Sequence, residues 1–336
     1  MTRIHFWTAD EGGCAYYRAK QPGVVLAEQG HDVTVGQALP AENMRDGVVV
    51  GARVHLPGPL SLWRGMSESD AVTTVFEVDD DLWHMPPDNP AHWWYGRPEI
   101  ATVLAESIGV ANRVVVSTAP LSRVVAEFTD APITVVPNFI PAWTLRSDNY
   151  LRQGDTTNLH LGWGGSRHHV DDWSDGWVRA LNRWMTAPVN AGHEDTLSVF
   201  GGKAYGLESA IVTGWIDNTE DYLRSLNFDV SVIPLARTTF NESKSWIKAL
   251  ECMALGIVPI AADVGPYASF VRHGVDGILL GDPVHLPTVL RRLRDPEVRL
   301  QLVAGGIQTA RRNTIEGNIG LWQAALGLDV PSCATA

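Results

Sequence analysis

The feature that most limits how this chain can fold is a rhythm repeated twice. Short apolar runs rich in Val and Ile alternate with stretches of helical periodicity over almost the whole length. Arg3–Trp7, Asp32–Val35, Gly47–Val50, Thr73–Val78, Val114–Ser117 and Ile133–Val136 read as strands in the first half. Leu159–Trp163, Leu197–Phe200, Ile211–Thr213, Val230–Pro234, Ile257–Ala261 and Ile278–Leu280 read as strands in the second. Continuous Val/Ile runs indicate strands buried on both faces. Alternation with helices then implies parallel sheets covered on both sides. Helical patterns reach Gln29 from the Thr8–Cys14 loop, start near Pro120, and fill Trp173–Met185, Thr219–Leu226 and most of Leu286–Leu326. The polar, aperiodic stretch Pro141–Asn158 interrupts the rhythm and reads as a linker. The expectation is an α/β protein of two successive βα domains. Ligands in such sheets bind at the carboxyl ends of the strands, here in a shared cleft.

Composition narrows the partners. The 336 residues exceed one ordinary core, are 45% hydrophobic and 19% charged, and carry a formal charge of −12. That charge argues against nucleic acid as the main partner. Cys14, Cys252 and Cys333 show neither disulfide-framework nor metal-site spacing, which points to a cytoplasmic location. No apolar run reaches the roughly 20 residues of a spanning helix, so membrane contact is expected to be peripheral at most. The Arg291, Arg292, Arg294 cluster reads either as a solvated helix face or as a patch for an anionic membrane.

The most informative stretch is FNESKSWIKALECMALGIVPI, from Phe240 to Ile260. At about 100° per residue, Trp246, Ala249, Leu250, Met253 and Ala254 share a core side. Lys244, Lys248 and Glu251 fall on the opposite side. Asn241 or Ser243 would cap the helix start, and Gly256 would end it. Two readings follow. In one, the polar face is solvated and holds a Lys248–Glu251 pair. In the other, the helix start and Lys244 meet a diphosphate while Glu251 accepts hydrogen bonds from a ribose.

KSWIKALECMALGIVPIAADVGPY resembles the signature of retaining GT-B glycosyltransferases of the large family 4, glycosyl transferases group 1. The match lies at Leu250, Glu251, Ala254, Gly256, Pro259 and Ile260. The resemblance implies a GT-B fold: two Rossmann-like domains facing across a cleft. It implies an N-terminal acceptor domain over 1–143, a linker over 144–155, a nucleotide-sugar donor domain over 156–312, and a final helix in 313–336 packing back on the first domain. It gives Glu251 the ribose of the donor nucleotide. The family's further glutamate, eight positions earlier, is replaced by Ser243, with Glu242 displaced by one. The stretch looks like a subgroup written Asn-x-x-Lys-Ser-x-x-Lys, matched at Asn241, Lys244, Ser245 and Lys248.

Other stretches carry the same resemblance. LGWGGSRHHVDDW is similar to the first strand and glycine turn of the donor domain, with Gly164, Gly165, Ser166 and Arg167 lining the diphosphate. A plain tight turn fits that stretch equally. TADEGGCAYYRAKQP resembles the first loop, in which Gly12 and Gly13 allow close approach. Arg18 reads either as a polar contact or as a surface residue. FEVDDDLWHMP suggests two ideas. One is a divalent metal held by Asp79, Asp80 and Asp81, as in the other large glycosyltransferase fold. The other, implied by the resemblance, is a cleft in which Asp79 or Asp80 holds sugar or acceptor hydroxyls, Asp81 caps a helix, and His84 lies near the donor sugar. His168 and His169 flank the glycine turn. Trp93, Trp94 and Tyr95 read as a loop that either packs on its domain or stacks on a sugar.

The implied activity is hexosyl transfer with retention, independent of a bound metal, from a nucleotide diphosphate sugar to a glycan, lipid-linked or protein acceptor in polysaccharide or glycoconjugate biosynthesis. Arg167, Lys244, Asp80 and His84 are the expected catalytic side chains. Gly12, Gly13, Gly164, Gly165, Ser166, Ser243, Ser245 and Glu251 are the expected donor contacts. A nucleotide-sugar epimerase on the same fold and a non-catalytic nucleotide-sugar binding protein remain alternatives.

Overall fold

The computed structural model describes residues 1–146, 157–166, 169, 172–187, 192–201 and 203–328. Strands β1 (Arg3–Trp7), β2 (Asp32–Gly36), β3 (Gly47–Ala52), β4 (Val72–Val78), β5 (Arg113–Val116) and β6 (Ile133–Val135) form one sheet in the order β2-β1-β3-β4-β5-β6. Strands β7 (His160–Gly164), β8 (Thr196–Phe200), β9 (Ala210–Thr213), β10 (Val230–Ile233), β11 (Val258–Ala262) and β12 (Ile278–Leu280) form a second, ordered β12-β11-β10-β7-β8-β9. Every strand pairing is parallel. The Val/Ile runs lie in the centres: Val49, Val75, Val114, Val115, Val199, Val230 and Ile260 are fully buried. Strand order reverses between β1 and β3 and again between β7 and β10. Each reversal opens a crevice at the carboxyl ends of the strands.

Several local details depart from the sequence reading. Helices Pro57–Ser67 and Pro98–Val110 cover the first sheet although their apolar pattern did not single them out. His92–Tyr95, expected as loop, is one short helical turn. The helix expected to begin at Ser243 begins at Ile247, after a separate turn of helix at Thr239–Glu242 that Thr238 caps. Tertiary hydrogen bonds explain the break. In a continuous helix the Ser243 carbonyl would take the Ile247 N–H. Here that carbonyl accepts the Thr118 hydroxyl at 2.7 Å, and the Ile247 N–H goes to Ser245 Oγ at 3.2 Å. The Asn241 side chain caps nothing, because its amide donates to Asp172 and to the Ala236 carbonyl. Gly256 does end the helix, at φ +68°, with the Ile257 N–H reaching back to the Cys252 carbonyl.

The two halves exchange side chains. Tyr16 and Tyr17, on the helical segment Tyr16–Lys20 after β1, bury themselves in the apolar core of the second sheet. Phe240, from the second half, is buried in the core of the first. The helix Ile315–Leu326 packs on the first sheet, where Trp322 meets Phe6 edge-on at 5.7 Å. Arg18 lies beneath, with its guanidinium 5.0 Å from the Trp322 ring. It donates to Glu77 at 2.7 Å, to the Val136 carbonyl at 2.6 Å and to Asn138 at 2.9 Å. At 2% exposure Arg18 is not a surface residue. Burial raises the Glu77 carboxyl to about 7, against the opposing pull of Arg18. Arg18→Ala should strand Glu77 and lose about 3–5 kcal/mol, read as a lower urea midpoint in tryptophan fluorescence.

Candidate functional site

The crevice of the second sheet is built from the ends of β7 and β10. After β7 the chain turns through Gly164, Gly165 and Ser166. The glycine at 165 is required by packing: a Cβ there would lie 2.6 Å from the Trp163 ring and 2.7 Å from Lys248 Nζ. Lys248 reaches under the turn and donates to the Gly164 carbonyl at 2.9 Å, with its ammonium 5.5 Å from the Trp163 ring centroid. Burial lowers its pKa. On the polar face of the Ile247–Ala254 helix Glu251 is buried and Lys248 half-buried, and the solvated Lys248–Glu251 pair is not formed.

Beside the turn stands His169, whose Nδ1 lies 2.8 Å from Asp172. Asp172 is buried and accepts from the Ala236 N–H and the Asn241 amide. Desolvation first, then Lys244 and Lys248, push His169 down to about 3, so it is neutral at ordinary pH. That response puts Lys244, Lys248 and His169 in one electrostatic neighbourhood around the Gly164–Ser166 turn. Lys244 holds its ammonium 4.7 Å from the Phe240 ring. The backbone N–H groups of Ser243 and Lys244 turn inward to the Phe240 and Asn241 carbonyls, and Ser245 caps Ile247. The cationic side chains, not those amides, face the crevice. Arg167 and His168 lie outside the described residues.

Glu251 sits one turn further along, 6% exposed. Its Oε1 accepts a 2.6 Å hydrogen bond from the Tyr17 hydroxyl, which comes from the other half of the molecule. Burial raises its pKa, while Lys248 and the Tyr17 hydrogen bond oppose the rise. Glu251, Lys248, Trp163, Gly164 and Tyr222 are among the residues around a small cavity of about 10 Å³.

The crevice of the first sheet lies opposite. Gly12 donates its N–H to Asp10 at 2.8 Å, and Gly13 faces open space. Asp10 pairs across the strand-order reversal with Arg53, which follows β3 at φ +50°. Arg53 carried no sequence signal, since no motif or periodicity marks a lone arginine after a strand. Asp79 and Asp80 follow β4. Burial, then Asp79, raises the Asp80 carboxyl to about 6, while Lys244 and Arg53 pull it down. Asp80 thus responds to Lys244 from the opposite half, close to the hydrogen bond from Thr118 to Ser243. Asp81 is fully buried and accepts from the His84 backbone N–H, with the half-exposed His84 ring 2.8 Å away. The ring contact of His84 is within its own loop, so the structure does not join it to Asp80 and Lys244. Among the described residues no three His, Cys, Asp or Glu side chains converge as a metal set.

Comparison with known proteins agrees with this architecture. Sucrose-phosphate synthase from Thermosynechococcus elongatus superposes with a TM-score of 0.64 at 15% identity, over 97% of this chain and 98% of that one. Anabaena HepE in complex with UDP-glucose gives 0.61 at 14% identity, over 98% and 100%. The chain has the GT-B fold. Residues 188–296 match the family model described as Glycosyl transferases group 1. This GT-B protein is also 35% identical over 103 residues to the D-inositol 3-phosphate glycosyltransferase of Acidothermus cellulolyticus. That match spans 29% of this chain and 22% of the relative. No described helix of the GT-B protein is long and apolar enough to cross a membrane.

The environment of Asp80 has a measurable consequence. Its pKa is raised on folding from 3.8 to about 6, so the folded state binds the extra proton. Stability then falls as pH rises from about 4 to 6, and the loss persists above. Asp80→Asn should gain about 1–2 kcal/mol over the wild type at pH 7.5, after allowance for partial exposure. At pH 4 that gain should disappear, as checked by urea denaturation at both pH values.

Proposed function

We propose that this protein transfers a hexosyl group from a nucleoside diphosphate sugar to a hydroxyl of a glycan, lipid-linked or protein acceptor, with retention of anomeric configuration. The observation that carries the reading is the convergence of Lys244 and Lys248 around the glycine turn of a strand-order reversal, with buried Glu251 on the same helix. The cations suit a diphosphate, and a carboxylate within the crevice suits a pentose.

The departing group is an anionic nucleoside diphosphate, leaving a centre of oxocarbenium character. Catalysis then consists chiefly of stabilising that developing charge with groups already in place. Lys244 and Lys248 supply it, with neutral His169 as a hydrogen-bonding neighbour. Arg167, next in sequence after Ser166, is assigned the same role. The bond from the anomeric carbon to the phosphate oxygen breaks. The acceptor oxygen bonds to that carbon on the same face, and its proton passes to the departing phosphate. No protein nucleophile is required, and the reading assigns the neutralisation of the leaving group to protein cations. Asp79 and Asp80 face this position from the acceptor side and suit hydroxyl donors. HepE was solved with UDP and with UDP-glucose, which makes uridine nucleotides the first donors to try.

Calorimetric titration with UDP, GDP and their common sugar conjugates tests the donor site. Glu251→Ala and Lys244→Ala should each weaken a bound nucleotide about 10- to 100-fold, the equivalent of roughly 1.5–3 kcal/mol for a hydrogen bond to a charged group. Affinities unchanged in both variants would remove the proposed donor site.

A further inference from the structure

The Tyr17–Glu251 hydrogen bond stands where the donor reading requires the ligand to be. We propose that Tyr17 is an autoinhibitory stand-in for a hydroxyl of the donor's pentose, which must displace it to reach Glu251. The proposal rests on the donor site described above, and the inhibition it describes is separate from that site's chemistry.

Three observations support it. First, Glu251 is 6% exposed, and Tyr17 makes the sole hydrogen bond to its side chain among the described residues. A buried carboxylate without donors is strongly unfavourable, so an empty site needs a substitute. The ammonium of Lys248 lies nearby, but its hydrogen bond goes to the Gly164 carbonyl and not to Glu251. Second, the cavity on the second-half side of Glu251 is about 10 Å³, room for no more than one water, and Tyr17 covers the carboxylate from the first half. A ligand arriving at Glu251 must move something. Third, the side chains around Glu251 differ in where they are anchored. Lys248, Trp163 and Tyr222 belong to the second half, where they are tied to its sheet and helices. Tyr17 reaches in from the first half, so withdrawal of that half clears the carboxylate and removes from the second core only side chains that the first half lends it.

The contact therefore opposes nucleoside binding but not diphosphate binding. Lys244, Gly164 and Ser166 are partly exposed with Tyr17 in place, so a phosphate can approach them. The pentose exchanges one hydroxyl donor for another, and the hydrogen bond given up by Tyr17 is subtracted from donor affinity.

Isothermal titration of the full chain with UDP, GDP and inorganic pyrophosphate separates the possibilities. Tyr17→Phe should bind the nucleoside diphosphate about tenfold more tightly than the wild type, with pyrophosphate affinity unchanged. A general loosening of the fold would move both ligands together. Equal or weaker nucleotide binding by Tyr17→Phe, with Glu251→Gln still impaired, would overturn the stand-in and leave the donor site intact. Failure of both UDP and GDP to bind the wild type would overturn both. Protein labelled with 3-fluorotyrosine gives a readout that does not depend on the variant folding. The Tyr17 resonance should shift with the nucleotide and stay in place with pyrophosphate, and a resonance indifferent to the nucleotide would also overturn the stand-in.

Discussion

A carboxylate buried where two sheets meet is the constraint that organises this molecule. Glu251 lies inside a wall of aromatic rings and aliphatic side chains, where a charged group survives only with hydrogen-bond donors or a nearby cation. Lys248 supplies the cation and Tyr17 the donor. Each is recruited from elsewhere in the fold. Lys248 is held by a carbonyl at the end of β7, and Tyr17 by the helical segment after β1. Satisfying one side chain thus ties the glycine turn, the Ile247–Ala254 helix and the opposite half into a single arrangement.

The same economy appears across the seam. Thr118, capping the helix after β5 through the Leu121 N–H, also gives its hydroxyl to the Ser243 carbonyl. That bond interrupts the helix before Lys244 and frees this lysine to face the crevice. Phe240 fills the first core while Tyr16 and Tyr17 fill the second. Lys244 on one side pulls down the pKa of Asp80 on the other. The cleft is therefore an electrostatic interface before any ligand enters it, with carboxylates mainly on the first half and ammonium groups on the second.

The contrast between Arg18 and Arg53 shows what a sequence can convey about such a site. Arg18 follows two glycines and a strand, the usual setting for a phosphate contact, yet it is a buried strut under Trp322. Arg53 has no motif around it, yet it stands at the strand-order reversal of the first sheet beside Asp10. Both outcomes depend on partners between 43 and 304 residues away in the chain, which local pattern does not encode. Gly165 is intermediate. Its presence in a turn was legible, but its reason is the Trp163 ring and Lys248 Nζ, known only once the helix is docked.

The sequence by itself determined the twelve parallel strands, the break into two βα halves and the identity of the helix bearing Lys248 and Glu251. It could do so because burial on both sheet faces and helical periodicity are written into neighbouring residues. Tertiary structure alone decided that this helix starts at Ile247, that Glu251 on its polar face is buried rather than solvated, and that Tyr17 holds Glu251. Those outcomes hang on hydrogen bonds between the two halves, and such a bond exists only when both partners have been brought to the seam.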